Sequence, residues 1–354
     1  MSSQFTPSGK PRASAMGLVF DGICGPLNAI TDVPGVAVGY TTLIEGEGAL
    51  SLGHGPVRTG VTAILPRPVG DLCTPVSAGY FSLNGNGELT GSHFIEETGS
   101  FAHPITITNT HSCGVTRDAT IQWAVRKFPD VLGDTFSLPV AAETYDGFLN
   151  DINGFHVTPQ HVFDAIDSAS TGPLEEGSVG GGTGMICFGF KAGSGTASRV
   201  IGHNGQAYTI GVFVQANFGR RDQFTLQGHP VGRETPDPAP QPARSSIIAV
   251  VATDAPLLPH QLKRLARRVT FGIGRVGGTA NHGSGDIFLA FSTAPAPLAT
   301  IPDPELDPFF EAVVYGTEEA ILNSLVANED MTGRDGHFVP ALPHDVIRAY
   351  VYKP

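Results

Sequence analysis

The chain has 354 residues, 41% of them hydrophobic, enough to bury a substantial core, which excludes a disordered tail or a stapled mini-protein. Charged residues are only 15% against 45 Gly and 28 Pro, a composition of short strands and tight loops that argues against a helical bundle. With 21 Lys and Arg against 33 Asp and Glu, the net charge of −12 has the wrong sign for a nucleic-acid binder, whereas an acidic field attracts cations such as free amino termini.

Residues 1–27 open with the polar MSSQFTPSGKPRASAMG and lack the roughly 7–15 apolar residues of a secretory signal, so they read as a partly disordered leader. No run approaches the roughly 20 apolar residues of a membrane span, the purest being the stretch Ile247 to Ala252. Cys24, Cys73, Cys113 and Cys187 are widely spaced without a CxxC pair, as expected of reduced, packed thiols. A soluble, cytoplasmic protein with no membrane segment is the expectation.

Asn28–Tyr40 predicts a short strand after a Pro-Gly turn, and Val61–Pro66 and Pro104–Asn109 predict two more. Between these, SLNGNGELTGSHFIEE reads as a loop leading into a short helix; it lacks the Lys-Ser/Thr ending of a phosphate loop. Helices are expected over Arg117–Phe128 and over TPQHVFDAIDSA, where Thr158 is the N-cap and Pro159 the first helical residue. Gly184–Gly193, Ala207–Gly219, Ser246–Pro256 and Gly285–Ala294 read as strands, their near-continuous apolar runs implying burial on both faces. Residues 227–245 form a Pro-rich linker, with Pro230, Pro236, Pro238, Pro240 and Pro242, expected to be exposed and without ladder or helix. An amphipathic basic helix follows, with Leu262, Leu265, Ala266 and Val269 on one side, then a helix near Thr317–Asn328 and a last strand VIRAYVY.

Twelve histidines invite a metal reading, but neither HExxH nor HxxEH occurs, and no GxSxG elbow marks an α/β-hydrolase. The glycines of SVGGGTG (Ser178–Gly184) are read first as tight turns and second as an anion cradle. The unusual feature is the junction Arg244-Ser245-Ser246, where the linker passes directly into a buried strand. A serine there is ordinary punctuation or the site of an N-to-O acyl shift. Such a shift leaves Ser246 as a new N-terminus with a nucleophilic hydroxyl beside an α-amine of pKa near 8.

SIIAVVATDAPLLPHQLKRLARR, THSCGVTRDA, ETYDGFLND, VGGGTGM, GVFVQANFG and NAITDVPGV, taken together, resemble the self-processing L-aminopeptidase D-amidase/D-esterase and β-peptidyl aminopeptidase family. The resemblance runs from about Asn28 over nearly the whole chain. It implies an α+β fold, a four-layer αββα sandwich of the N-terminal-nucleophile-like type. It further implies that residues 28–354 form a single catalytic domain, with the protein expected to split into a large chain 1–245 and a small chain 246–354. By the same resemblance those chains are expected to stay associated as a homo-oligomer, a tetramer of two-chain units. Ser246 matches the family nucleophile, and Ser245 lies before the cut, where Arg244-Ser245 departs from the Gly or Asn common in the family.

Asn217 matches the oxyanion-side asparagine, an amide donor suited to a tetrahedral intermediate. Ser284 and Asp286 match a Ser-x-acid pair that orients the nucleophile or its amine. Glu143 matches a substrate-side carboxylate suited to a free ammonium, and Tyr145 a phenolic donor or pocket wall. Asp146 and Asp151 read as turn and cap residues; His111 and Arg117 read as supports of a strand-to-helix connection. The resemblance implies a serine aminopeptidase acting through an acyl-enzyme on short peptides, amides or esters, with no metal or organic cofactor required. The alternatives are an acyltransferase resembling the ornithine acetyltransferases, which use threonine at the cut, and an unprocessed peptide-binding homologue.

Overall fold

Runs of β-branched and aromatic residues between turn residues build most of the strands, and the computed structural model describes residues 4–235, 245–295 and 300–351. The strands in chain order are β1 (Ala37–Glu45), β2 (Val57–Leu65), β3 (Val76–Gly85), β4 (Ser100–Phe101), β5 (Ile105–Asn109), β6 (Ala141–Thr144) and β7 (Ile186–Cys187). They continue with β8 (Phe190–Lys191), β9 (Ser194–His203), β10 (Gln206–Asn217), β11 (Ser245–Thr253), β12 (Ser284–Ser292), β13 (Met331–Thr332) and β14 (Phe338–Val339). The helices are α1 (Ser92–Thr98), α2 (Cys113–Lys127), α3 (Pro129–Leu132), α4 (Pro159–Asp167), α5 (Val231–Glu234), α6 (Pro259–Arg275), α7 (Asp307–Val326) and α8 (His344–Val351).

One sheet has the order β1-β2-β5-β6 and the other β4-β3-β12-β11-β10-β9. Ala119 and Trp123 of α2 and Val162 and Ile166 of α4 pack with Val61, Ala63 and Leu65 on the outer face of the first sheet. Leu262 and Leu265 of α6 and Phe309 and Ile321 of α7 pack with Val212, Ile247 and Ala249 on the outer face of the second. Between the sheets Ile64, Ile105 and Ile107 meet Ile248, Val250 and Leu289. Three apolar layers thus separate four structural ones, the αββα arrangement that the resemblance implied. β11 and β12 are buried along their whole length, which is why they read as unbroken apolar runs.

Several elements differ from the expectation, each for a packing reason. Residues 4–27 are no loose leader: Arg12 is only 2% exposed, bonds Glu176 at 2.6 Å and donates to the carbonyls of Asn28 and Thr196. Ala13, Met16 and Leu18 beside it join the core. In the linker, residues 227–235 include α5, whose Val231 is buried, while residues 236–244 lie outside the described residues. Gly184–Gly193 is a hairpin of β7 and β8, turned at Phe188 and Gly189, both with positive φ (53° and 72°), and the Phe188 ring is locked against Phe218 and Phe224.

The last segment, read as a strand, is α8, because Ile347 and Val351, with Val346 and Tyr350, form a helical stripe against the core. β9, not expected from its small residues, lies so close to α7 that a Cβ on Gly195 would meet the Ala320 carbonyl at 2.0 Å. The glycines of SVGGGTG make a 3-10 turn between the sheets, where a Cβ on Gly181 would meet the Ile107 carbonyl at 2.4 Å.

The buried Arg12–Glu176 pair gives the first prediction. Arg12→Ala leaves a carboxylate and two carbonyls buried without their cation, a loss of about 3–5 kcal/mol. The expected result is a clearly lower denaturant midpoint and a similar loss when residues 1–12 are deleted. An unchanged midpoint in both would restore the leader reading.

Candidate active site

Strand directions bring the candidate residues to one end of the sandwich. β10 runs antiparallel to β11 with Asn217 opposite Ser246, and β12 runs parallel to it with Ser284 opposite Ser245 and Gly285 opposite Ser246. In the other sheet the parallel pair β5 and β6 end side by side at Asn109 and Thr144. Strand alternation sends Ile248, Val250 and Ala252 into the core between the sheets, so Ser246, on the same parity, faces inward as well.

Ser246 is 5% exposed, and its hydroxyl donates to the carbonyl oxygen of the preceding Ser245 at 2.7 Å while accepting from the Gly285 N–H at 3.3 Å. The nucleophile candidate therefore lies against the peptide bond before it. Asn217 is held at both ends of its amide: Oδ1 accepts from the Ile186 N–H at 2.9 Å, and Nδ2 donates to the Tyr145 carbonyl at 2.9 Å. The bond to Tyr145 uses one of the two Nδ2 hydrogens. The Tyr145 phenol folds over its own loop, since a Cβ on Gly147 would meet its hydroxyl at 2.4 Å.

Ser284 donates to Asp286 at 2.6 Å, both buried. Asp286 lies opposite Ile247 in the ladder, and the Ser246 hydroxyl donates to the Ser245 carbonyl and not to this pair. Burial pushes the Asp286 carboxyl up to about 6, against the hydrogen bonding, that of Ser284 first, which favours its ionised form. Glu143 is 3% exposed; Oε1 accepts from the Glu88 N–H at 2.9 Å and Oε2 from the Thr110 hydroxyl. Burial raises its pKa, the two hydrogen bonds oppose that, and the Glu88 carboxylate adds to it.

The remaining candidates lie around this centre. Asp146 is buried, its carboxyl pushed up to about 7 by burial, and its Oδ1 accepts from Asn150 at 3.0 Å. Asp151 accepts from the Gly53 N–H and pairs with His156 at 2.9 Å. His111 is exposed and stacks on Phe155, and Arg117 pairs with Asp118 on the surface of α2. Sequence reasoning missed Gly285, Ile186 and Glu88, which act through main-chain N–H groups that no residue type announces. It also missed Thr110, although THS stood inside a block already singled out.

Residues 28–339 match the model of peptidase family S58. The chain is 51% identical to the β-peptidyl aminopeptidase BapA of Sphingosinicella microcystinivorans, covering 97% of this chain and 92% of the relative. Among solved structures it superposes with a TM-score of 0.90 and 48% identity on the L-aminopeptidase D-Ala-esterase/amidase of Ochrobactrum anthropi, covering 96% of this chain and 98% of that one. That protein is described as a prototype for the serine aminopeptidases and a new variant among the Ntn hydrolase fold. A Burkholderia β-aminopeptidase superposes with a TM-score of 0.87 and 42% identity, covering 97% of this chain and all of that one. The fold is thus of the N-terminal-nucleophile type, and the chain belongs to peptidase family S58.

Proposed function

We propose that this peptidase is a self-cleaving serine aminopeptidase whose nucleophile, Ser246, frees its own α-amine and then releases N-terminal residues from short peptides, amides or esters. The observation that carries the reading is the contact of the Ser246 hydroxyl with the Ser245 carbonyl at 2.7 Å in a buried strand end. In the first step Oγ bonds to the Ser245 carbonyl carbon, the C–N bond breaks, and the Oγ proton passes to the departing nitrogen. The resulting ester is opened by water, which leaves the Ser245 carboxylate and a free Ser246 hydroxyl. The Gly285 N–H, 3.3 Å from Oγ, favours negative charge developing there. On this reading Ser284, opposite Ser245 in register, relays the proton, with Asp286 accepting from its hydroxyl.

In turnover the α-amine of Ser246 accepts the hydroxyl proton, Oγ attacks the substrate carbonyl, and the second Nδ2 hydrogen of Asn217 receives the oxyanion. Glu143 binds the substrate ammonium, whose charge offsets the burial that raises its pKa. Membership of S58 and the names of the relatives, which cover β-peptides, L-amino acids, D-Ala esters and amides, support peptide, amide and ester substrates. A tetramer of two-chain units in the cytoplasm completes the reading. The four cysteines are unpaired, two of them buried, as a reducing compartment allows, and among the described residues no helix is long and apolar enough to cross a membrane.

Intact mass under denaturing conditions, with N-terminal sequencing, is expected to give chains 1–245 and 246–354, the latter starting Ser-Ile-Ile-Ala, and one uncut chain for Ser246→Ala. A start at Ser-Ser-Ile would move the nucleophile to Ser245, and an uncut native chain after long incubation would sink the mechanism.

The pH dependence follows from Asp286. Its folded pKa of about 6 lies above the ordinary 3.8, so the fold disfavours the ionised form. That costs stability above pH 6, and the cost disappears as the pH falls below about 4. Self-cleavage runs the other way, because it needs the ionised carboxylate to hold Ser284, and its rate is expected to fall as the pH drops through about 6. Asp286→Asn should cleave slowly and without that acid limb; a limb unchanged in the variant assigns it elsewhere. On purified two-chain protein, Asn217→Ala should lower kcat by about 10²–10³, and a loss confined to KM would remove Asn217 from the oxyanion role.

A further inference from the structure

The loop Tyr145–Asn150 follows the last residue of β6 and contains no regular structure that would hold it. An account of its carbonyls shows what does. The Tyr145 carbonyl accepts from Asn217, and the Asp146 carbonyl closes the turn by accepting from the Leu149 and Asn150 N–H groups. The next three carbonyls are all taken by one short segment far away in sequence. Gly147 accepts from Arg334 Nε at 2.9 Å, Phe148 from His337 Nδ1 at 2.7 Å, and Leu149 from the Arg334 N–H at 2.9 Å. The His337 ring also stacks on Phe148, centroids 4.4 Å apart and planes within 13°. Gly333 is pressed so close that a Cβ there would meet the Leu149 carbonyl at 2.2 Å.

The clamp is itself anchored. It is the turn between β13 and β14; Arg58 Nε donates to the Thr332 carbonyl at 3.0 Å, and Asp335 accepts from the Leu50 N–H at 2.8 Å. Its grip ends two residues from Tyr145, whose carbonyl fixes the amide of Asn217. A loop free to shift there would misaim the oxyanion donor without touching substrate binding at Glu143.

We propose that the segment Gly333–His337 is a clamp that sets the geometry of the oxyanion side, with Arg334 and His337 as positioning residues. This rests on the reading of Asn217 given above. Because a carbonyl only accepts, the His337 tautomer with hydrogen on Nδ1 is the one that clamps, and Asn can replace it as donor whereas Phe can replace only its stacking.

Steady-state kinetics on fully cleaved two-chain protein test this with His337→Phe, His337→Asn and Arg334→Met. The expected result is a kcat about tenfold lower in His337→Phe and Arg334→Met, with KM within twofold of wild type, and kcat largely restored in His337→Asn. A wild-type kcat in both deficient variants, a loss carried by KM, or a loss that His337→Asn does not repair overturns the clamp. A wild-type protein that neither cleaves itself nor hydrolyses substrate defeats the proposed function and leaves the clamp to a second measurement. Amide hydrogen exchange over residues 145–150 should then be faster in His337→Phe than in wild type, with exchange in β11 and β12 unchanged; equal exchange in the loop overturns the clamp by itself.

Discussion

The whole site hangs on one parallel register, in which β11 lies beside β12 with Ser246 opposite Gly285 and Ser245 opposite Ser284. A slip of one residue would turn every side chain of β11 to the other face, exchanging Ile248, Val250 and Ala252 of the inter-sheet core for Ile247, Ala249 and Val251 of the helix-side core. Six apolar side chains, packed on both faces, therefore decide which of two adjacent serines presents its hydroxyl between the sheets. The same register puts the Gly285 N–H against that hydroxyl and the Ser284–Asp286 pair beside the backbone of the junction. Hydrophobic packing along the strand thus does the positioning for the polar end.

That polar end adjoins the apolar layer between the sheets. Gln215 donates across the sheets to the Thr108 carbonyl and the Thr144 hydroxyl, and Asn217, two residues on, repeats the cross-sheet link to Tyr145. Beyond them Glu143, Asp146 and Asp286 all have pKa values raised by burial, and Lys191, fully buried, has one lowered by the same cause. Lys191 is held by the carbonyls of Met185 and Ala192, next to the Ile186 N–H that orients Asn217. Buried titratable groups gathered at one end of a sandwich mark a place where function opposes stability. Here the carboxylates accept from backbone N–H groups or from neighbouring hydroxyls and amides, and Lys191 donates to two backbone carbonyls.

Legibility in the sequence followed the physics of burial. β10, β11 and β12 were plain because strands covered on both faces have no polar alternation to confuse them. β3 and β9 were not, because helices pressing on them demand small residues, and VSAGYFSLNG and SGTASRVIGH look like loop sequence until α6 and α7 are in place. VIRAYVY failed in the opposite sense: β-branched residues suggested a strand, and tertiary packing of a helical stripe prevailed. The candidate side chains were reached only through resemblance, since Asn217, Ser284 and Glu143 taken singly read as ordinary turn or surface residues. The backbone donors Gly285, Ile186 and Glu88 had no signal of their own, and Arg12 was hidden in a polar stretch whose partner Glu176 is far off in sequence.

The fold also accounts for how the chain, on the proposed reading, is cut at the head of β11 without coming apart. On the proposed reading the cut breaks one covalent bond at the head of β11, yet β11 stays paired along its length with β10 of the large chain, and β12 of the small chain with β3. α6 and α7 share a single core with β10, and the segment Gly333–His337 grips the Tyr145 loop across the same divide. Ladder, core and clamp each cross from one prospective chain to the other, so the native arrangement does not depend on the bond that is lost. What changes on that reading is local: the amide nitrogen of Ser246, opposite Gly285 in the ladder, becomes an amine. On that reading the precursor is the folded enzyme lacking one titratable group, which the proposed self-cleavage supplies.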